Sequence, residues 1–367
     1  MNGISVKNNT AVRLADVPVS DFNGFLDFLQ THLSSADAHC ISYFAVPGSG
    51  GYTLFACIAR DRHSDILVLS CDVTGNQKLI SLTPSFPSLH VFEREISETT
   101  GLKFEGSAWD KPLRYPHDRF KKDIKIDDYP FFDIESEELH QVGVGPIHAG
   151  IIEPGHFRFI CNGEKVLHLE IKLGYQHRGV EYMMRTRNDL LYQVKLAESI
   201  AGDTVVGNNL CFTQNIETLS SIEPGESVLL ERAIALELER IAIHTGDISA
   251  LCTDVAYQLG STVLQGLRTI VINSFMNWCG NRFARNLIYP GKNPFPLIQE
   301  KKDALLAVLG KYEKQFNEVT SLIFDLPGVL SRFEKTGIVT KQQTEIMRFN
   351  GMAARSAGIA RDIRISH

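Results

Sequence analysis

The sequence predicts an α+β chain: a small N-terminal α/β domain, then a β-hairpin that leads into a bundle of long helices. Three observations carry this. Short apolar runs separated by turn residues crowd positions 40–82. Asn162-Gly163, two residues that tolerate positive φ, lies between two strand-like runs. Beyond Met183, apolar residues recur at helical spacing over long stretches. A length of 367 residues suggests about two domains at roughly 150 residues each. The apolar share of 44% is that of an ordinary folded protein. A net charge of −6, from 37 bases and 43 acids, gives no global pull toward nucleic acid. No apolar run approaches the roughly 18 residues of a membrane span. The opening MNGISVKNNTAVRLAD lacks the apolar core and cleavage site of a signal peptide. Seven scattered cysteines without a C-x-x-C pair read as reduced thiols, most of them small core residues.

Residues 1–118 form the first domain. Ser20 and Asp21 can cap a helix with the apolar face Phe22, Phe25, Leu26 and Leu29. Strands are expected at Cys40–Val46, Tyr52–Ile58, Ile66–Cys71 and Lys78–Leu82, with turns at 48–51 and 74–76. A helix over Ser88–Thr100 has its stop at Gly101. Residues 119–142 read as a charged linker, since seven acids and four bases lie between Arg119 and His140. The aromatics of Tyr129-Pro130-Phe131-Phe132 are expected to pin it to a domain surface.

The second domain, 143–367, opens on a shaped loop. Gly143, Gly145, Pro146, Gly150, Pro154 and Gly155 rule out a helix there. His148, Glu153 and His156 sit among them. Strands Phe157–Cys161 and Lys165–Ile171 form the hairpin, and Tyr175, His177, Arg178 and Glu181 begin a helix. Met183–Glu217 is mostly helical, broken at Gly202 and Gly207. A long helix follows over about Gly225–Leu251. On it Glu237, Arg240, His244 and Asp247 step by 3, 4 and 3 and so share one face. Eight of the twelve residues from Ala233 to His244 are apolar, so burial in the bundle is expected. Buried ions cost several kcal/mol each unless paired; the four groups should pair with each other or line a wet channel, unless the face is simply solvated. Further helices are expected over Asp254–Trp278 and Pro296–Phe324. Arg332–His367 is a basic tail, with seven bases against three acids.

GPIHAGIIEPGHFRF, then NGE, then LGYQHRGVE resembles the opening of the large subunit of energy-converting, membrane-bound NiFe-hydrogenases. In looser form the same opening begins the subunit lining the quinone site of respiratory complex I. PSFPSLHVFEREISETTGLKFEGSAWDKPLRYPHDRF resembles complex I's small α/β subunit, often fused ahead of the large one in the hydrogenase branch. Glu93-Arg94-Glu95 matches an acidic-basic-acidic signature of that family, which makes it a docking surface; a solvated helix face is the plainer reading. MAARSAGIARDIR resembles the family's arginine-glycine turn, and the chain ends before the family's second cysteine pair, as if truncated. One departure matters most. Where the hydrogenases carry a first C-G-x-C pair, this chain has Ala201-Gly202-Asp203-Thr204, and Asn208 replaces a usual histidine. A nickel–iron centre needs soft thiolates, which alanine and threonine do not supply.

The resemblance implies a hydrogenase-type large-subunit fold and a subunit of a membrane-associated, complex I-like or hydrogenase-like oxidoreductase. It would shape an electron-acceptor cavity beside a partner's iron–sulfur cluster and couple redox to proton movement. His156 matches the loop histidine that addresses quinone in complex I; no tyrosine occupies the 201–204 turn, which weakens a direct quinone role. Glu153, His156 and His148 would be the catalytic, proton-handling groups, since histidine titrates near neutrality. Burial can raise a glutamate toward that range. Arg178, Glu181, Ala201, Asp203 and Thr204 would orient or line the cavity, and Glu237, Arg240, His244 and Asp247 would relay protons. No metal is held directly; the iron–sulfur cluster sits in a partner, and quinone is the candidate acceptor. Implied partners are an iron–sulfur small subunit and integral membrane, ion-pumping subunits in a hetero-oligomer on the cytoplasmic face of the cell membrane. No nucleic acid is involved, and no Gly-rich fingerprint for a dinucleotide is present. The alternatives are a non-catalytic coupling subunit with a vestigial cavity and, against the missing cysteines, a true NiFe-hydrogenase.

Overall fold

The computed structural model describes residues 3–148 and 153–367 and has the α+β architecture that the periodicities predict. Two compact units are distinguished. One comprises Met1–Tyr182 with Val339–His367, the other Met183–Ile338. These do not coincide with divisions at 118/119 and 142/143, since the hairpin region and the basic tail both group with the N-terminal sheet.

In the first unit, β1 (Ile4–Val6), β5 (Asp65–Val73), β4 (Gly51–Arg60) and β3 (Ala38–Gly48) lie in that order, with β2 (Val19–Ser20) pairing in parallel with β5. The helix α1 (Phe22–Leu33) begins where Asp21 accepts a hydrogen bond from the Gly24 amide at 2.7 Å. Its Phe25, Leu29 and Leu33 join Leu54, Ile58, Leu69, Leu89 and Ile96 in one fully buried core. Lys78–Leu82 is shorter than expected. Its strand, β6 (Lys78–Ile80), pairs in parallel with a strand the pattern did not show, β7 (Lys103–Glu105), beyond the helix α2 (His90–Thr100). The signature on α2 turns inward rather than forming a docking surface or a solvated face. Glu93 is buried, accepting from Ser81 Oγ (2.5 Å) and the Leu82 amide (3.0 Å). Arg94 is buried too, donating to the carbonyls of Lys111 (2.7 Å) and Pro112 (2.8 Å). Only Glu95 is half-exposed, paired with Arg114 at 2.9 Å.

The hairpin gains a third strand. β8 (His140–Val144) pairs antiparallel with β9 (His156–Asn162), which pairs with β10 (Lys165–Lys172). The linker therefore ends at 139, and Gly143 lies in a strand, not in the loop; polar His140 and Gln141 and the glycine itself hide the strand pattern. Gly150 lies outside the described residues. The rest of the linker is bonded down. The Phe120 amide donates to the Glu98 carbonyl (2.9 Å) and its ring covers Gly101, where any Cβ would sit 2.5 Å from it. The basic tail folds onto this unit: Arg361 pairs with Asp61 at 2.7 Å, and Arg348 donates to the Leu33 carbonyl at 2.6 Å.

The second unit is helical. The helix α3 (Val180–Thr186) bridges the division, followed by α4 (Leu190–Ala197), α5 (Val205–Ser220), α6 (Glu226–Asp254), α7 (Gln258–Cys279), α8 (Gln299–Asp325) and α9 (Pro327–Phe333). Three short helices, α10 (Lys341–Met347), α11 (Gly351–Ser356) and α12 (Ile363–Ser366), belong to the tail. α6 packs along α7, and α7 along α8. The buried stripe of α6 is Arg232, Ala235, Leu238, Glu239, Ala242, Thr245, Ser249 and Cys252. So α6 is buried on one face, not all round, and its buried ions are Arg232 and Glu239. Arg232 makes two bonds to Glu217 on α5 (3.0 and 2.8 Å) and one to the Tyr289 carbonyl (2.8 Å); Glu217 also accepts from the Gly291 amide (2.7 Å). Breaking such a pair from one side leaves a buried charge behind. Arg232→Leu is expected to cost about 3–5 kcal/mol, whereas Arg232→Leu with Glu217→Leu should recover most of it, read as the denaturant midpoint of helical circular dichroism.

Candidate functional site

The described ends of the loop between β8 and β9, 145–148 and 153–155, are held by backbone geometry. Gly145 has φ +97°, and a Cβ there would lie 2.1 Å from the Gly155 carbonyl oxygen; the Gly155 amide donates to the Pro146 carbonyl at 3.2 Å. Gly145 accepts from His156 Nδ1 at 3.1 Å. A carbonyl can only accept, so Nδ1 carries the proton and Nε2 is the nitrogen left to act. His148 stacks edge-on to Phe157 with ring centroids 5.4 Å apart. Glu153 is exposed rather than partly buried as its expected role requires.

His156 belongs to one face of the small sheet. Residues directly opposite on antiparallel strands share a face, and the register sets His156 against Lys172 and Arg158 against Glu170. Glu170 is the anchor of this face, only 1% exposed. It accepts from Lys111 Nζ (2.5 Å) and from the Phe132 amide (2.8 Å). Burial pushes its carboxyl up, yet the bonds from Lys111 and the Phe132 amide outweigh that and hold it below the ordinary glutamate value. The linker aromatics lie over this face: Phe131 against His156 (centroids 5.4 Å) and Phe132 against His168 (4.8 Å). Arg178 is exposed. Glu181 turns to Arg114 at 3.0 Å, and Arg114 also holds Glu95, so it braces the N-terminal domain against the start of α3.

In the helical unit, Ala201 and Thr204 are half-buried and Asp203 exposed. The turn is held from below by a residue the pattern passed over. Glu239 on α6 accepts from the amides of Val206 (2.6 Å) and Gly207 (2.9 Å), the unsatisfied first turn of α5. Burial raises its carboxyl; the two amides oppose that, Asp203 adds to it and Arg240 subtracts. Gly207 lets the carboxylate approach closely, since a Cβ there would lie 3.2 Å from Glu239 Oε1. Asp203 faces Arg268 at 3.7 Å. Of the expected relay, Glu237 pairs with Arg240 at 3.0 Å on the open side of α6; His244 is half-buried and Asp247 exposed. The available signal for Glu239 was its place in the buried stripe, seven residues after Arg232. Among the described residues, no three or more His, Cys, Asp or Glu side chains form a group able to hold a metal ion. No helix is long and apolar enough to cross a membrane among the described residues.

Residues 15–130 match the family described as the respiratory-chain NADH dehydrogenase, 30 Kd subunit, and residues 254–367 match its 49 Kd subunit. Hydrogenase-4 component G of Escherichia coli (strain K12) is 24% identical over 82% of this chain and 58% of its own length. The membrane-bound hydrogenase subunit alpha of Pyrococcus furiosus is 26% identical over 62% of this chain and 53% of its own. An NADH-quinone oxidoreductase subunit of Campylobacter curvus is 25% identical over 64% and 58%. The chain thus spans less than two thirds of the length of these relatives.

Glu239 makes a direct prediction. Glu239→Ala should free the Val206 and Gly207 amides and cost about 1–3 kcal/mol, read as faster hydrogen exchange at those two amides and not at β9. Glu239→Gln, neutral but still an acceptor, should cost less. Unchanged exchange in Glu239→Ala would remove its role as the brace of the turn.

Proposed function

We propose that this chain, whose segments 15–130 and 254–367 belong to the 30 Kd and 49 Kd subunit families, is the acceptor-cavity subunit of a complex I-like or hydrogenase-like oxidoreductase. Its modules, expected at 1–118, 119–142 and 143–367, would be a docking domain, a linker that ends at 139, and a large-subunit part that begins with β8. Electrons would arrive from an iron–sulfur cluster in a partner subunit, and quinone is the acceptor considered. The complex would sit on the cytoplasmic face of the cell membrane, with integral subunits moving ions.

The observation that carries this reading is His156, held by a shaped loop in one tautomer with Nε2 left to act, in a chain whose 201–204 turn has Ala201 and Thr204 where the resembling hydrogenases have thiolates. A ligand that cannot bind nickel and a proton-handling nitrogen that remains favour acceptor reduction over hydrogen activation. In this reading the exposed Glu153 takes protons from solvent, His148 passes them to His156, and Arg178 sets the hairpin, while Glu181 holds Arg114. Within the helical unit, Ala201, Asp203 and Thr204 are the proposed acceptor-lining turn, and Glu237, Arg240, His244 and Asp247 the proposed proton relay. A coupling subunit with no chemistry of its own is the competing role.

The purified complex with its partners tests this. It should contain no nickel bound by this chain, and should pass electrons from a chemically reduced cluster to a soluble quinone. His156→Ala should slow that transfer about a hundredfold or more, the size of a lost general acid, with assembly unchanged. Equal turnover in assembled His156→Ala complex would leave the coupling role; stoichiometric nickel on this chain would leave the hydrogenase.

A further inference from the structure

Three basic side chains of the small sheet meet at one phenyl ring. Phe131 lies 5.4 Å from the His156 ring, its centroid 4.8 Å from the Arg158 guanidinium carbon and 5.8 Å from Lys172 Nζ. A phenyl ring offers these groups only its quadrupole, worth about 0.5–2 kcal/mol per cation. It has no lone pair to accept a hydrogen bond. Lys172 shows the shortfall most clearly. It is 5% exposed, and among the described residues it meets no carboxylate and no hydrogen-bond acceptor. Three rings stand around its ammonium: Tyr129 (6.0 Å), Phe131 and Tyr175 (5.2 Å). Its stem is covered while the ammonium keeps contact with solvent, so it is a donor with no protein acceptor rather than an enclosed charge.

We propose that Phe131 is a resident plug, standing where the ring of a quinone-class acceptor binds, and that Lys172 and Arg158 join His156 in recognising the oxygens of that ring. The inference rests on the acceptor reading and adds its specificity groups and its gate. A benzoquinone ring has the flat six-membered shape of the phenyl it replaces, with two oxygen acceptors at opposite ends. Lys172, Arg158 and His156 are all donors or can become so, through Nζ, the guanidinium and Nε2; Arg158 already gives Nε and Nη2 to Gln141 Oε1, which leaves Nη1 for a ligand. Opening requires only the ring to swing. Phe132 next to it stays fixed by the bond from its amide to Glu170, and Tyr129 is buried under Lys111 at 5.6 Å. Phe131 itself is half-exposed. A site closed nine-tenths of the time binds tenfold more weakly than the same site held open.

The test uses the full chain and duroquinone, whose fully methylated ring cannot add to the free thiols. Binding is read from the lysine Cε resonances of protein labelled there with carbon-13. The Lys172 signal, displaced by three ring currents, is identified by its loss in Lys172→Arg. Duroquinone should shift that signal in the wild type, and Phe131→Ala should bind about tenfold more tightly, with Phe131→Leu intermediate as a variant that keeps an apolar cover. Lys172→Gln added to Phe131→Ala should abolish the gain, read by ligand-observed titration. Phe131 variants that bind no more tightly than the wild type would overturn the plug. Binding that depends on His156 but not on Phe131 or Lys172 would overturn it while leaving the acceptor reading in place. No binding in any variant would overturn both.

Discussion

Glu170 joins parts of the chain that composition alone would leave as separate domains. Its carboxylate lies on β10, yet its partners are Lys111, from the end of the N-terminal domain, and the Phe132 amide, from the linker. A carboxylate this deeply buried is tolerated only with such partners, because desolvation otherwise costs several kcal/mol. The constraint runs both ways. The charge holds the linker in place, and the linker, with its aromatics, covers the charge. That is why the sheet's polar face, with His156, Arg158 and Lys172, is the covered one, while Val142, Val144, Leu169 and Ile171 on the opposite side are exposed.

The same device recurs in the helical unit. Glu239 closes the first turn of α5, just beyond the turn where the resembling hydrogenases bind metal through cysteine. Glu217 binds Arg232 and the Gly291 amide. Each is a buried carboxylate that satisfies backbone amides no helix or sheet would otherwise pair. A frame braced this way does not depend on a metal cluster for its local geometry. The turn at Ala201–Thr204 can keep its shape after the thiolates are gone, which is the physical basis for proposing a retained acceptor cavity.

What was legible in the sequence was periodicity and punctuation. Asp21 as a cap, Gly101 as a stop, Asn162-Gly163 as a turn and the long helices all follow from local rules, and the structure has them within a few residues. Three things were not legible. β8 reads His-Gln-Val-Gly-Val, with no strand signature of its own, and exists because β9 offers an edge. Glu93 and Arg94 looked like surface charges, since spacing cannot show that Ser81 and the carbonyls of 111 and 112 will meet them. On α6 the helical step picked out the open charged stripe, Glu237 to Asp247, and passed over Arg232 and Glu239, whose partners lie on α5 and in the loop beyond α7. In each case the deciding contact is distant in sequence.

The central claim, that one buried carboxylate turns the linker into an ordered strap, is tested most directly by nitrogen-15 relaxation at the amides of Tyr129, Phe131 and Phe132 as pH is lowered. Because the Glu170 carboxyl is held below its ordinary value, the stabilisation is present above the unfolded glutamate pKa of about 4.3 and is lost only as pH falls through the lower folded value. Order parameters should stay near 0.85, that of rigid backbone, down through pH 4.3 and collapse below it, while in Glu170→Ala they should already be under about 0.6 at neutral pH. Amides that are mobile at neutral pH in the wild type, or rigid in Glu170→Ala, would contradict it.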